Sequence, residues 1–280
     1  MRTLLNQPLM AIIVFVALVF TACQSSGKKD SQDGDEKTKS SPRIEKEEVE
    51  EDVREFVYPL PTTFEVTEML NRIEASYILA LSNPADNVDK YLSERKQALN
   101  LGVYGADLSY ASTYNQKQQT IDYMEASKKL VDALNMSSAL PSDIVEQVEQ
   151  NQDNKDKLVE IITNTFYDTY DHLNANGRSA VSMLVLSGSW VEALYITTHI
   201  SENTYQNKEM VRIVMQQKSS LNKLLDLMKK YEDDSDVADV MEKLEPIAKV
   251  YNNVEENAIT EKQMNAITRE VARVREDFVK

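Results

Sequence analysis

Gly188, Glu192, Tyr195 and His199 step 4, 3 and 4 residues along the chain, so on a helix they share one side. The stretch that carries the first three, "AVSMLVLSGSWVEALYI" (180–196), is apolar on nearly every side, interrupted by Ser182, Ser187 and Ser189. A carboxyl group buried there has a raised pKa, and a nearby imidazole can share its proton. Asp168 and His172, at i and i+4 on the preceding helical stretch, are placed to face them. Two histidines and two carboxylates from facing helices make a candidate acid–base or metal cluster, because helical bundles build such sites from inward-pointing side chains. The competing expectation is a hydrogen-bonded core pair, or Glu192 and His199 reaching the surface.

Other chemistry is hard to find. His172 and His199 are the two histidines, and with one cysteine no cysteine pair can hold a metal. No H-E-x-x-H, P-loop, G-x-G-x-x-G or G-x-S-x-G is present, so no cofactor is expected. "EDDSD" (232–236) fails as a calcium loop: counted from Asp234, the fifth and sixth positions are Ala238 and Asp239. It reads instead as a helix start with acids favoured by the dipole. The formal charge of −15 excludes nucleic acid as a partner and suits a basic one.

Cys23 is the only cysteine and closes an apolar run. Leu9 to Phe20 as a helix spans roughly 18 Å, short of the ~30 Å hydrocarbon core. With Arg2 before it and small residues after it, the run has the layout of an export signal. "FTAC" (20–23) resembles the lipobox of bacterial lipoproteins, with Phe20 in place of the usual leucine. The resemblance covers residues 1–23. It implies removal of 1–22, a diacylglycerol on the Cys23 sulfur, usually acylation of the new amino end, and a membrane partner through the lipid. Gln24 and Ser25 stand where an aspartate tends to retain such proteins in the inner membrane, which implies the outer membrane. "GKKDSQDGDEK" (27–37) and the helical body are similar in style to uncharacterised helical lipoproteins of Bacteroidota.

Residues 24–61 are charged and nearly free of apolar side chains, too polar to offset chain entropy. As a disordered tether they span about 35 Å on average. From 62 to 280 the pattern is helical, giving an all-α domain of about eight helices: 64–82, 86–135 (divisible near Gly102–Gly105), 142–150, 154–174, 178–202, 206–231, 236–253 and 260–280. Capping boxes are expected at Thr62, Asp143 and Thr260, and Pro246 is expected to kink or end its helix. The 178–202 helix is expected at the centre of the domain rather than across a membrane.

Ala98, Gly102, Gly105, Ser109 and Ser112 form a face of small residues that admits a close helix neighbour, the 178–202 helix being the candidate. Asp107, opposite that face, is expected in solvent. Met264, Ile267, Val271, Val274 and Phe278 form a seam expected to pack on the 206–231 helix. Tyr104, Tyr110, Tyr114 and Tyr123 are expected in the core with hydroxyls reaching water, the alternative being a binding surface.

The leading expectation is a lipid-anchored helical module of the outer membrane that binds a protein partner or scaffolds an envelope complex, without catalysis. The alternatives are a small-ligand or metal-binding envelope protein using the Glu192/His199 face, and a hydrolase with a site scattered through the chain.

Overall fold

Helix stop signals divide the chain more finely than the apolar pattern does. The computed structural model describes residues 63–201, 204–255 and 258–280. Cys23, the apolar run before it, the tether and the cap at Thr62 lie outside these residues. The described part is all-α, with no strand among the described residues. Its nine helices are α1 (Thr63–Arg72), α2 (Glu94–Thr113), α3 (Lys117–Ala133), α4 (Ile144–Gln150), α5 (Lys155–Ala175), α6 (Ser179–His199), α7 (Lys208–Met228), α8 (Ser235–Asn252) and α9 (Glu261–Val279).

Three helix boundaries differ from expectation: the 86–135 stretch begins only at Glu94, where Ser93 caps the helix, and two others differ for one reason. The 86–135 stretch breaks at Asn115 (φ +56°), not at Gly102–Gly105, and the first helix stops at Arg72, short of 82, where Glu74 has φ +59°. Each left-handed residue closes its helix by backbone bonds, Gln116 N–H to the Ala111 carbonyl (2.9 Å) and Ala75 N–H to that of Leu70 (3.1 Å). Asparagine tolerates this conformation better than most residues. Glycines inside α2, by contrast, sit in ordinary helix.

Of the expected caps, Thr260 and Gln263 form the reciprocal box, whereas Asp143 makes no side-chain cap bond. Asp234 caps α8 by accepting from the backbone N–H groups of Asp236 (2.9 Å) and Val237 (3.1 Å), which accounts for the acidic run there. Helix α8 runs through Pro246 without ending.

Helix α6 is the hub. It is the one helix among the described residues long and apolar enough to cross a membrane, and 78 % of its most apolar stretch is buried in the protein. It packs most extensively on α2, and also touches α1, α5, α7, α8 and α9. The α2–α6 crossing is close because neither helix has a side chain where they meet: Gly102 lies against the backbone of Val185 and Ser189, and Gly188 against that of Leu99. Gly105, in the same small face, meets Phe166 of α5 instead.

The seam of α9 is fully buried, but it packs on α6 and α8 rather than on the 206–231 helix, α7. The last carbonyls of α9 find donors on α2. Lys96 Nζ bonds the Asp277 carbonyl, and Asn100 Nδ2 donates to that of Phe278 at 2.8 Å. Around them Arg95, Lys243, Asp239 and Asp277 form a partly buried ion-pair network joining α2, α8 and α9.

Candidate functional site

Residues 73–93 are not α-helix. They cross α2 as a strap with two short 3₁₀ turns, Leu79–Leu81 and Ala85–Lys90. Irregular backbone over a buried helix needs partners for its polar groups, and α2 supplies them. Tyr110 Oη accepts the Ile78 N–H (2.8 Å), Tyr104 Oη donates to the Pro84 carbonyl (3.0 Å), and Asp107 Oδ2 accepts the Asn83 N–H (3.1 Å). Tyr104, Tyr110 and Tyr123 are thus core residues as expected and Tyr114 is half-buried against the core, but Tyr104 and Tyr110 serve the strap rather than water. Tyr77 joins them, its ring 4.6 Å from that of Tyr110. Burial, assisted by the Asp107 charge, pushes the hydroxyl of Tyr77 up to about 12.

Asp107 is fully buried, not solvent-exposed. From Ala98 to Thr113 it is the only charged residue of α2, and the side opposite the small face is covered by the strap. Glu192, also fully buried, lies close enough for the two carboxyl groups to act on each other. The charge that allows this comes from α9. Arg275 Nε donates to Glu192 Oε2 (2.9 Å) and Nη2 to Oε1 (3.0 Å), a two-pronged pair. Nη2 also donates to the Leu81 carbonyl of the strap (3.1 Å), and the guanidinium carbon sits 4.6 Å above the Tyr195 ring.

The five residues proposed from sequence separate into two groups. Glu192 and Tyr195 meet Arg275, and His199 stacks on Tyr195 with ring centroids 4.2 Å apart. His199 Nδ1 donates to the Tyr195 carbonyl (2.8 Å), and burial lowers its pKa, which favours the neutral ring. Asp168 is exposed, about 200° around α5 from Phe166, which lies against α2. His172 is half-buried one turn further on. Among the described residues no three of histidine, cysteine, aspartate and glutamate come together as a metal site. Arg275 was missed because it lies 83 residues from Glu192. Its one sequence signal is its place four residues after Val271, beside the apolar seam.

Burial and then the Glu192 charge raise the Asp107 carboxyl well above its ordinary range, against the pull of Arg275 and the Asn83 N–H. Burial also raises Glu192, but Arg275 opposes it directly. The proton therefore belongs on Asp107, with Glu192 ionised against Arg275. A raised folded-state pKa favours the fold below the unfolded value of about 3.9, and that contribution is lost as pH rises through the folded value. Asp107→Asn keeps an oxygen for the Asn83 N–H and removes the titration. It is expected to raise the urea midpoint at about pH 8 and to converge with the parent near pH 4, read by urea unfolding across that range.

Outside this cluster lies a groove of about 820 Å³. Arg275 and Ser82 reach it, Leu79 stands at its edge 52 % exposed, and Asp86, Asp89, Asp122 and Glu125 line it from the strap and α3. Lys129, the remaining cation in the lining, is 3.8 Å from Asp89. Ser82 is buried, with its side chain turned toward Asp107 and Tyr77. The groove therefore offers net negative charge and an apolar lip. The chain matches no protein-family model, no curated protein and no solved structure.

Proposed function

We propose that the chain is a lipid-anchored, non-catalytic helical module of the bacterial outer membrane, held by Cys23, and that its acidic groove receives a basic segment of an envelope protein. The observation that carries the binding reading is the groove: four carboxylates face it, Arg275 is committed to Glu192, and Leu79 gives the apolar contact a peptide needs. Its volume falls within the range of sites that bind ligands, about 300–1,000 Å³. The acidic character of the whole chain steers the same kind of partner. The non-catalytic reading is supported by Glu192, which is fully buried, pairs with Arg275 through both oxygens and does not line the groove.

The test is in-cell crosslinking followed by mass spectrometry of protein recovered from the envelope fraction. Cys23 is expected to be the amino-terminal residue and to carry a diacylglycerol. Partner peptides rich in lysine or arginine are expected to map to Asp86–Asp89 and Asp122–Glu125. Asp122→Lys with Glu125→Lys is expected to cut their yield at least tenfold without changing helix content. An unmodified Cys23, or crosslinks that survive the reversal, would overturn the proposal.

A further inference from the structure

The strap and the helices beneath it meet at one ionisable side chain. Asp107 of α2 accepts the Asn83 N–H of the strap at 3.1 Å and also hydrogen-bonds Glu192 of α6. A hydrogen bond between two carboxyl groups contains a proton, because ionised carboxylates only accept. Among the described residues, Arg275 is the cation that acts on Asp107, and both prongs of its guanidinium go to Glu192. Two buried carboxyls therefore share one counter-charge, and the charges balance only while Asp107 keeps its proton. The other titratable groups that act on or around Asp107 are tyrosines: Tyr77 from the strap, Tyr104 and Tyr110 from α2, and Tyr123 from α3. Burial holds all four hydroxyls above their ordinary value of 10.0, so they stay neutral where a carboxyl changes state. His199 stacks on Tyr195, beside Arg275, and burial lowers it from its ordinary 6.5.

We propose that the strap is a proton-gated latch: opening it releases one proton from the Asp107 side chain to solvent, and closing it takes one up. The strap is the part able to leave. It has no α-helix bonds between residues 73 and 93, and Leu79 and Leu92 on it are exposed. Lifting it breaks the Asn83–Asp107 bond and lets water reach the carboxyl, which then returns to its ordinary value of about 3.9. In the closed protein, burial and then the Glu192 charge hold that carboxyl well above this value. Closure is therefore favoured most below about pH 3.9, and that advantage is lost as pH rises through the closed-state value. The strap carries Leu79, Asp86 and Asp89 into the groove, so the same step assembles or dismantles that wall. This last consequence alone rests on the groove as a binding site.

The test is native-state amide exchange on the full chain, corrected at each pH for the exchange rate of free amides, which gives an opening constant for each residue. For Ser82 and Asn83 this constant is expected to grow about tenfold between about pH 5 and pH 6, the signature of one proton released. It is also expected to exceed that of Val191 in α6 throughout, since the strap opens without the hub. Asp107→Asn keeps an oxygen for the Asn83 N–H and has no proton to release, so its constants are expected to change less than about twofold over the same range. A second measurement needs no variant: the Asp107 carboxyl carbon of the parent chain is expected to have the shift of a protonated acid at about pH 6. An opening constant independent of pH in the parent would overturn the proposal. The same rise in Asp107→Asn would overturn it too, and would place the titration on His199. Strap and α6 amides exchanging at one common rate would show that no local latch exists. An ionised Asp107 carboxyl at about pH 6 would sink the idea whether or not the variant folds.

Discussion

Arg275→Met is expected to cost about 3–5 kcal/mol, because it strands the ionised Glu192 in the core. Glu192 has no exposure, and its two oxygens are held by that one guanidinium at 2.9 and 3.0 Å. The loss should also be local. Arg275 holds the Leu81 carbonyl, so amide exchange is expected to accelerate between residues 79 and 90 before it does in α6 or α9. Pairing the change with Glu192→Met removes the buried charge together with its partner and is expected to restore most of the stability. Urea unfolding of the two single variants and the double variant gives the coupling. A loss below about 1 kcal/mol in Arg275→Met would mean that Glu192 takes up a proton at little cost and that the pair does not anchor the strap.

Gly188→Ala is expected to destabilise the fold by about 3 kcal/mol or more, at the upper end of overpacking effects. A Cβ there would stand 1.9 Å from the Leu99 carbonyl oxygen and 2.9 Å from its carbon. Both atoms are backbone and cannot rotate aside, so α2 and α6 must separate and loosen everything packed on the hub. Gly102→Ala meets the Val185 oxygen at 2.0 Å and should behave alike. Gly105→Ala is the control. Its nearest neighbour is the Phe166 ring at 3.6 Å, an ordinary contact, and alanine in a helix interior is favoured over glycine by about 0.5–1 kcal/mol. Gly105→Ala is therefore expected to be neutral or stabilising by thermal or urea unfolding, although it belongs to the same small face. If all three behave alike, the close crossing is not where the structure places it.

The proposed binding surface depends on the same contacts. The strap forms one side of the groove, and outside the bonds of its two 3₁₀ turns its backbone is held by Asp107, Arg275 and two tyrosines. Buried polar groups here therefore position the strap: they take up the backbone groups that its own turns leave over. That also explains why an acid–base reading of Glu192 was reasonable from its neighbours on the helix, yet the structure gives it a salt bridge.

Periodicity and end signals, read along the chain, were enough to place most helices, to make the 178–202 helix the centre, and to bring the small face of α2 against it. Those features are local. An apolar stripe at a spacing of three and four, a capping box at Thr260 or a glycine at a crossing leaves its mark within one or two turns. The length of α1 and the break at Asn115 depend on a few residues whose preferences are weak, and α8 runs through Pro246 against a strong one; neighbouring packing settled all three. The exposure of Asp107, the partner of Glu192 and the neighbours of α9 depend on which surfaces meet after collapse. Asp107 looked solvent-facing because it opposes the small face, but a strap from residues 73–93 covers it. Arg275 becomes the counter-charge to Glu192 only when α9 closes against α6. A side chain's neighbours along the helix are set by its own segment, whereas burial and ionic partnership belong to the assembled core, where residues 83 apart come within hydrogen-bonding distance.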